Sequence, residues 1–253
     1  MASDRPAGRS TNFAVATQVQ TARGVGTRVP APAAPATPRS HPVESAQTSR
    51  SYRIAKRSLD LLGGLILLVL TLPIQLVIGL AIALDSRGSV LFRQVRLGEG
   101  GKPFRFFKFR TMYADARERF PELYAYRYSD EEIRQMYFKL PGDPRLTRVG
   151  RHLRRTSLDE LPNLVNVILG QMSLVGPRPE IPEMYGYYRA EQLPKFSVKP
   201  GLTGMAQVGG RNILRFQETI ERDLEYVRRR SFLVDLWILV RTPLVVFQML
   251  GAL

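Results

Sequence analysis

Apolar residues are spread unevenly along this chain. From Leu61 to Leu84 there is no charged residue, and Gln75 is the one strongly polar position. A straight helix of those 24 residues would run about 36 Å, against a hydrocarbon core of roughly 30 Å. Pro73 falls in the middle, where it removes a helix hydrogen bond and crowds the preceding turn. Thr71, two residues earlier, carries a hydroxyl that can satisfy a freed backbone group. Both flanks are basic: Arg50, Arg53, Lys56 and Arg57 precede the stretch, and Arg87, Arg93 and Arg96 follow it. The positive-inside bias keeps both flanks on one side, which predicts a re-entrant helix–break–helix with its turn at Thr71 and Pro73. A single span kinked at Pro73 is the alternative, and a buried soluble helix a third reading.

Downstream the pattern changes to short mixed elements. Val90 to Val95 reads as a strand, Gly98 to Pro103 as a turn, and Phe104 to Thr111 as a second strand. On that strand Phe106, Lys108 and Arg110 share one face, and Phe107 and Phe109 the other. Ala114 to Leu140 is polar and helical in flavour. Ser157 followed by Glu160 fits a capping box, which predicts a helix from there to Gly170. The stretch from Phe232 to Leu253 is apolar but interrupted by Asp235, Arg241 and Pro243. It reads as interfacial, or as packed on the arms of the first apolar stretch, with Trp237 near headgroups.

Met1 to Arg50 shows neither period. It holds ten Ala and six Pro and reads as a disordered tail. The chain therefore divides into a tail (1–50), a membrane hairpin (51–86) and a cytosolic domain with a membrane-associated C-terminal segment (87–253).

Composition narrows the chemistry. Among 253 residues there is no Cys and only two His, which excludes thiol catalysis, Cys-ligated metals and a disulfide scaffold, and leaves little for a His triad. Lys and Arg number 37 against 22 acids, a formal net charge of +15. The excess calls for a polyanionic partner: nucleic acid, an anionic membrane surface or a phosphorylated substrate. No RNP motif, zinc finger or basic region followed by heptads is present, so nucleic acid is not expected.

Three blocks carry candidate chemistry. Lys108 and Arg110 put two cations on one strand face, suited to a diphosphate, or to lipid headgroups if the strand lies on a membrane. Arg151, Arg154 and Arg155 precede the pair Asp159–Glu160. At a helix start both the dipole and the guanidiniums favour the ionised carboxylate, which a nucleophile or metal ligand needs, although acids are common in first turns for the dipole alone. Such a pair can divide the work, one acid attacking and the other holding Mg²⁺. In Gly176-Pro177-Arg178-Pro179 two prolines stiffen the presentation of Arg178, for phosphate or for an ion pair with Glu180 or Glu183. Lys199-Pro200-Gly201-Leu202-Thr203-Gly204 and the glycines before Arg211 are loops that a phosphate could approach closely. Upstream, Lys56 and Arg57 can reach lipid phosphates while Asp60 pairs with one of them at the membrane interface.

Taken in order, these motifs resemble the bacterial sugar transferases, monotopic phosphoglycosyl transferases acting on polyprenyl phosphate. The resemblance runs from Tyr52 to Leu253. It rests on Lys56-Arg57 with Asp60, the Pro73-interrupted stretch, Lys108-Phe109-Arg110-Thr111-Met112, Ser157-Leu158-Asp159-Glu160-Leu161-Pro162, Gly176-Pro177-Arg178-Pro179 and Lys199 to Gly204. It implies an α/β fold, mostly helical with few short strands: a monotopic membrane protein with a re-entrant hairpin, a cytosolic catalytic domain and interfacial amphipathic helices. It implies transfer of a sugar 1-phosphate from a UDP-sugar to undecaprenyl phosphate with release of UMP and with Mg²⁺, at the cytoplasmic face of the bacterial inner membrane. It makes Asp159 the nucleophile, Glu160 the magnesium ligand and Arg154 a phosphate contact. Lys108, Arg110, Arg178 and Arg211 become contacts to nucleotide-sugar or polyprenyl phosphate. Asn163 stands where the family often has Gln, and Met205 where it often has Trp, so the sugar is not fixed by the resemblance. A basic, non-enzymatic adaptor on the membrane is the competing expectation, and homo-oligomerisation is left open.

Overall fold

The computed structural model describes residues 49–137, 142–210 and 214–251. The tail of residues 1–48 and Arg211 therefore lie outside the described residues. Helix α1 (Arg50–Asp85) starts at Ser49, whose hydroxyl accepts from the Tyr52 amide at 3.2 Å. It is long and apolar enough to cross a membrane. Its middle is bare: Leu70, Leu76 and Val77 are about 70% exposed, and Leu65, Ile66, Val69, Leu72 and Ile74 are exposed as well. The expected break is not an interruption of the helix, which runs on through Pro73. The Thr71 hydroxyl donates to Leu67 O at 2.6 Å, and Gln75 Nε2 donates to Thr71 Oγ1 at 3.0 Å, so side chains supply polar contacts in the turns around the proline.

Both ends of α1 are docked on the same globular body. Strand β1 (Leu91–Leu97) and strand β2 (Pro103–Phe109) form an antiparallel hairpin in which Phe92 faces Lys108 and Arg96 faces Phe104. The region from Ala114 to Tyr137 is not one helix. It holds short helices α2 (Ala116–Arg119) and α3 (Asp130–Gln135), with a 3-10 turn at Pro121–Tyr124 between them. A capping box starts α3: Ser129 Oγ accepts from Glu132 N, and Glu132 Oε2 from Ser129 N. Helix α4 (Arg148–Thr156) is capped by Thr147 and followed, after a 3-10 turn at Leu158–Asn163, by α5 (Leu164–Ile168). The box expected at Ser157 is absent. Ser157 instead adopts a left-handed conformation (φ 58°) that ends α4, so it is a C-terminal stop and not an N-cap.

Strands β3 (Ser173–Val175) and β4 (Gly201–Thr203) pair in parallel. The pairing continues past β3, with Gly176 N donating to Thr203 O at 2.9 Å and Gly201 N to Pro177 O at 2.8 Å. This explains the glycines of both loop motifs, since a Cβ on Gly176 would lie 2.8 Å from Gly201 N. Helices α6 (Met205–Gly210), α7 (Phe216–Arg229) and α8 (Phe232–Gly251) complete the chain. One core joins Phe104 and Phe106 of the hairpin to Leu164, Val167, Leu174, Tyr226 and Ile238. A second joins Leu97 to Ile133, Met184, Phe196, Phe216 and Ile220. A third packs Ile78 and Ile82 of α1 on Phe109 and Leu153.

Of the interruptions of α8, Asp235 falls on the packed face and is fully buried, while Arg241 and Pro243 are exposed together with Leu233, Trp237, Val240, Leu244 and Phe247. Asp235 accepts from Lys56 Nζ (3.0 Å), Tyr52 OH (3.0 Å) and Tyr226 OH (2.7 Å). Lys56, Arg57 and Asp60 consequently face protein, not lipid. Arg57 donates to the carbonyls of Val167 and Ile168 at the end of α5. Asp60, 3% exposed, accepts from Ser173 Oγ and Leu174 N at 2.8 and 2.9 Å. The expected interface anchor is a clamp of α1 onto β3, α5 and α8, because buried carbonyls and amides were there to be satisfied.

Candidate active site

The 3-10 turn Leu158–Asn163 carries the acidic pair, and two buried asparagines fix it to β2. Asn163 Oδ1 and Asn166 Oδ1 accept from Phe107 N at 3.1 and 3.4 Å, and Asn166 Nδ2 donates to Arg105 O at 2.7 Å. Lys108, next along the strand, is thereby held in the field of both acids. Burial pushes its ammonium down to about 8. Asp159 and Glu160 oppose that shift, and Arg96 and Arg154 reinforce it. Asp159 itself is 6% exposed.

Arg154 reaches this cluster from the last turn of α4. Its Nη1 lies 3.2 Å from Asp143 Oδ2. Asp143 also holds Arg145 bidentately, at 2.8 Å on each oxygen. Burial alone would raise the Asp143 carboxyl, but the hydrogen bonds and charge of Arg145, with Arg154 behind, hold it below the ordinary carboxylate range. Asp143 thus fixes Arg154 from behind while Arg154 interacts electrostatically with Asp159. Arg178 Nη1 is 3.7 Å from Glu160 Oε1, so a site residue is among its carboxylate partners.

Of the residues expected here, Lys108, Arg154, Asp159, Glu160 and Arg178 are brought together. Arg110 is not with them. It is buried, and its guanidinium donates to the carbonyls of Ile82 (3.4 Å), Ser86 (2.6 Å) and Arg87, closing the C-terminal end of α1. Strand alternation put Arg110 on the face of Lys108, but the strand ends at Phe109 and the next side chain turns to the helix end.

Sequence reasoning counted Arg96 only as a flanking charge. The structure puts it beside the site: Nη1 donates to Pro179 O at 3.2 Å, Nη2 to Gln94 Oε1 at 3.0 Å, and the guanidinium lies 5.4 Å from the Phe106 ring. Burial lowers its pKa, with Glu180 opposing the shift and Arg178 adding to it. Its place across the hairpin from Phe104 was the available signal. The roles of Asp143, Asn163 and Asn166 had no such signal, because their work is to satisfy backbone and guanidinium groups that only the fold brings near.

Lys108, Arg96, Arg154 and Arg178 against Asp159 and Glu160 leave two positive charges in excess, which suits an anionic ligand. Among the described residues there is no group of three or more His, Asp and Glu side chains able to hold a metal. The donor set still fits Mg²⁺, which takes one or two carboxylates and fills its remaining positions with water and phosphate oxygens.

Known proteins with similar sequences bear on this arrangement. The chain is 39% identical over 203 residues to galactosyl transferase CpsE of Streptococcus agalactiae, covering 80% of this chain and 44% of that protein. It is 41% identical over 197 residues to the UDP-glucose:undecaprenyl-phosphate glucose-1-phosphate transferase of Caulobacter vibrioides, covering 75% and 68%. To the exopolysaccharide production protein ExoY of Rhizobium meliloti it is 38% identical over 189 residues, covering 75% and 84%. The chain spans less than half the length of several curated relatives it matches. The family model described as bacterial sugar transferase matches residues 51–249, which takes in both docked ends of α1, the acidic turn and the paired glycine loops, and the chain belongs to that family.

Proposed function

We propose that this chain transfers a sugar 1-phosphate from a UDP-sugar to undecaprenyl phosphate through a covalent intermediate on Asp159, releasing UMP. The observation that carries the reading is the buried Asp159 facing Lys108 and Arg154, with its neighbour Glu160 opposite Arg178. The Caulobacter relative's name supplies the donor and acceptor classes.

The chemistry follows from charge. A diphosphate repels a second phosphate, and a two-step route separates the substrates in time. In the first step an Asp159 oxygen forms a bond to the sugar-bearing phosphorus, and the bond from that phosphorus to the bridging oxygen breaks, that oxygen leaving on UMP. In the second step an oxygen of undecaprenyl phosphate bonds to the same phosphorus and the acyl phosphate breaks, returning the Asp159 carboxylate. Lys108, Arg154 and Arg178 neutralise charge growing on the phosphoryl and leaving oxygens. Glu160 would hold Mg²⁺, whose contribution is further neutralisation of phosphate charge.

The same reading makes α1 a re-entrant element of the bacterial inner membrane, with the active site at its cytoplasmic face. Its two ends are packed on one globular body while its apolar middle is exposed, an arrangement that favours both ends lying on one side of a bilayer. The exposed face of α8, with Trp237, suits the interface beside it.

The test is nucleotide release by purified protein with undecaprenyl phosphate and a panel of UDP-sugars, together with mass spectrometry of protein exposed to donor alone. UMP and a sugar-phosphate adduct on Asp159 are expected, and Asp159→Asn should abolish both while still associating with membranes. Release of UDP would mark direct glycosyl transfer, an adduct elsewhere would reassign the nucleophile, and lipid binding without nucleotide release would leave a membrane adaptor.

A further inference from the structure

We infer that Lys195, Asp223 and Glu180 form a buried positioning unit that holds Arg178 and Arg96 toward Glu160, an assignment that rests on the reaction proposed above. All three side chains are sealed: Lys195 and Glu180 are 2% exposed and Asp223 is fully buried.

Charges taken out of water are costly and need a compensating purpose. Here each contact leads to the loop Gly176–Glu180. Asp223 Oδ2, on α7, accepts from the Arg178 amide at 3.3 Å and lies 3.2 Å from Lys195 Nζ. Lys195 donates to Tyr188 OH at 2.7 Å, and that hydroxyl donates to Glu180 Oε2 at 2.9 Å. Lys195 Nζ is also 3.8 Å from Glu180 Oε2. Glu180 closes the loop's far end, its carbonyl accepting from Leu97 N at 2.8 Å in the strand that carries Arg96. Arg96 in turn donates to Pro179 O, between the two anchored residues.

The loop thus has its Arg178 amide, its Pro179 carbonyl and its Glu180 carboxylate each tied down by a charged group. Pro177 and Pro179 have no amide to offer, so Asp223 takes the one backbone donor at the centre of the run. Two acids and one lysine leave one negative charge in excess within the unit, and that excess lies beside Arg178 and Arg96. It keeps two guanidiniums together despite their mutual repulsion, with Glu160 opposite Arg178. An apolar filling would support the loop sterically but would not offset that repulsion.

Asp223 also gives the unit a titration. The groups facing it are Lys195, the Arg178 amide and guanidinium, and the Tyr188 ring with Glu180 behind it. Its Oδ1 has no hydrogen-bond partner among the described residues. Burial raises its pKa to about 6, with Lys195 and Arg178 opposing the shift. Below that value the carboxyl is protonated and the grip on the Arg178 amide weakens.

Two measurements test the inference. The first needs no turnover: amide hydrogen exchange at Arg178 in substrate-free wild type between pH 5 and 8, corrected for the intrinsic pH dependence and referenced to amides of the β1–β2 hairpin. Exchange is expected to quicken at least about tenfold as pH falls through 6. A flat corrected profile would overturn the unit whatever the enzyme's reaction. The second compares kcat/KM of Asp223→Asn with wild type, using UMP release. A loss of about tenfold is expected at pH 8, narrowing to about threefold at pH 5.5, where most of wild-type Asp223 is itself protonated. A loss that does not vary with pH means a merely structural role. If the variant does not fold, the wild-type exchange profile decides alone. If the wild type releases no UMP, the reaction proposal fails while the exchange result still stands or falls by itself.

Discussion

Replacing Lys108 with Met is expected to make the protein more stable and less active at once. The Lys108 ammonium is lowered from 10.5 to about 8 by burial, with Arg96 and Arg154 adding to the shift against Asp159 and Glu160. At about 1.4 kcal/mol per unit, holding the charged form at neutral pH costs about 3 kcal/mol. The side chain keeps part of its surface in solvent, and screening brings the realised figure to about 1–2 kcal/mol. Met retains the aliphatic length and carries no charge, giving up the ammonium's place 5.4 Å from the centre of the Phe92 ring. The folded value lies below the unfolded one, so the unfolded chain binds more protons between them. The penalty is complete below pH 8 and fades as pH rises through 10.5, so wild type gains stability over that window and the variant does not. Thermal unfolding in detergent should show the variant higher by about 3–6 °C at pH 7, with the gain under half as large at pH 9.5. Meanwhile kcat/KM for the nucleotide sugar should drop about 100-fold, as expected for loss of a charged contact to a phosphoryl oxygen. A variant less stable than wild type at pH 7, or a gain that does not change with pH, would refute the reasoning.

Two further substitutions separate structural from chemical roles. Gly176→Ala places a methyl group 2.8 Å from Gly201 N and 3.1 Å from Pro200 C, which are backbone atoms with little room to yield. Opening β3 from β4 should cost about 3 kcal/mol or more and lower the unfolding midpoint by about 10 °C, and a change under about 1 °C would show that the loops separate freely. Arg110→Met leaves the carbonyls of Ile82, Ser86 and Arg87 without their donor and should cost about 2–4 kcal/mol, with faster proteolysis near Gly88. KM for the nucleotide sugar should hold steady in the folded fraction; a large rise in KM at unchanged stability would return Arg110 to the phosphate site.

The two strands of the hairpin, the Lys108 face and the acidic pair were legible because each rests on a short period or on adjacency in the chain. Pro177-Arg178-Pro179 was legible for the same reason, since rigid presentation is a local property. The Ser157 box failed because a Ser three residues before a Glu is equally compatible with a left-handed stop followed by a 3-10 turn, and Pro162 disfavours a continuous helix there. The true box, Ser129 with Glu132, lay inside a stretch judged only by its mixed charge. Asp60 and Asp235 were read as interface and interruption. Their partners Ser173, Leu174 and Tyr52 are far away in the chain, and Tyr226 sits on the preceding helix, so no local pattern could foretell full burial.

The structure also sorts the chain's many cations by what faces them. Arg57 and Arg110 end on backbone carbonyls, at the end of α5 and at the end of α1, and Lys56 on a β3 carbonyl and the Asp235 carboxylate. A carbonyl at a helix end carries only a partial charge, enough to satisfy one guanidinium and too little to leave a field beyond it. Lys108, Arg96, Arg154 and Arg178 instead lie in one another's fields, and the lowered pKa values of Lys108, Arg96 and Arg154 are the mark of burial and that crowding. Crowded like charges destabilise a fold until an anion enters, so they belong where an anion is bound. The motif cations therefore divide into those that hold α1 on the domain and those that await phosphate. Position in the sequence does not separate the classes, since Lys108 and Arg110 lie two residues apart. What separates them is whether the cation stands apart on its own carbonyl or carboxylate acceptor or lies among other cations around the Asp159–Glu160 pair.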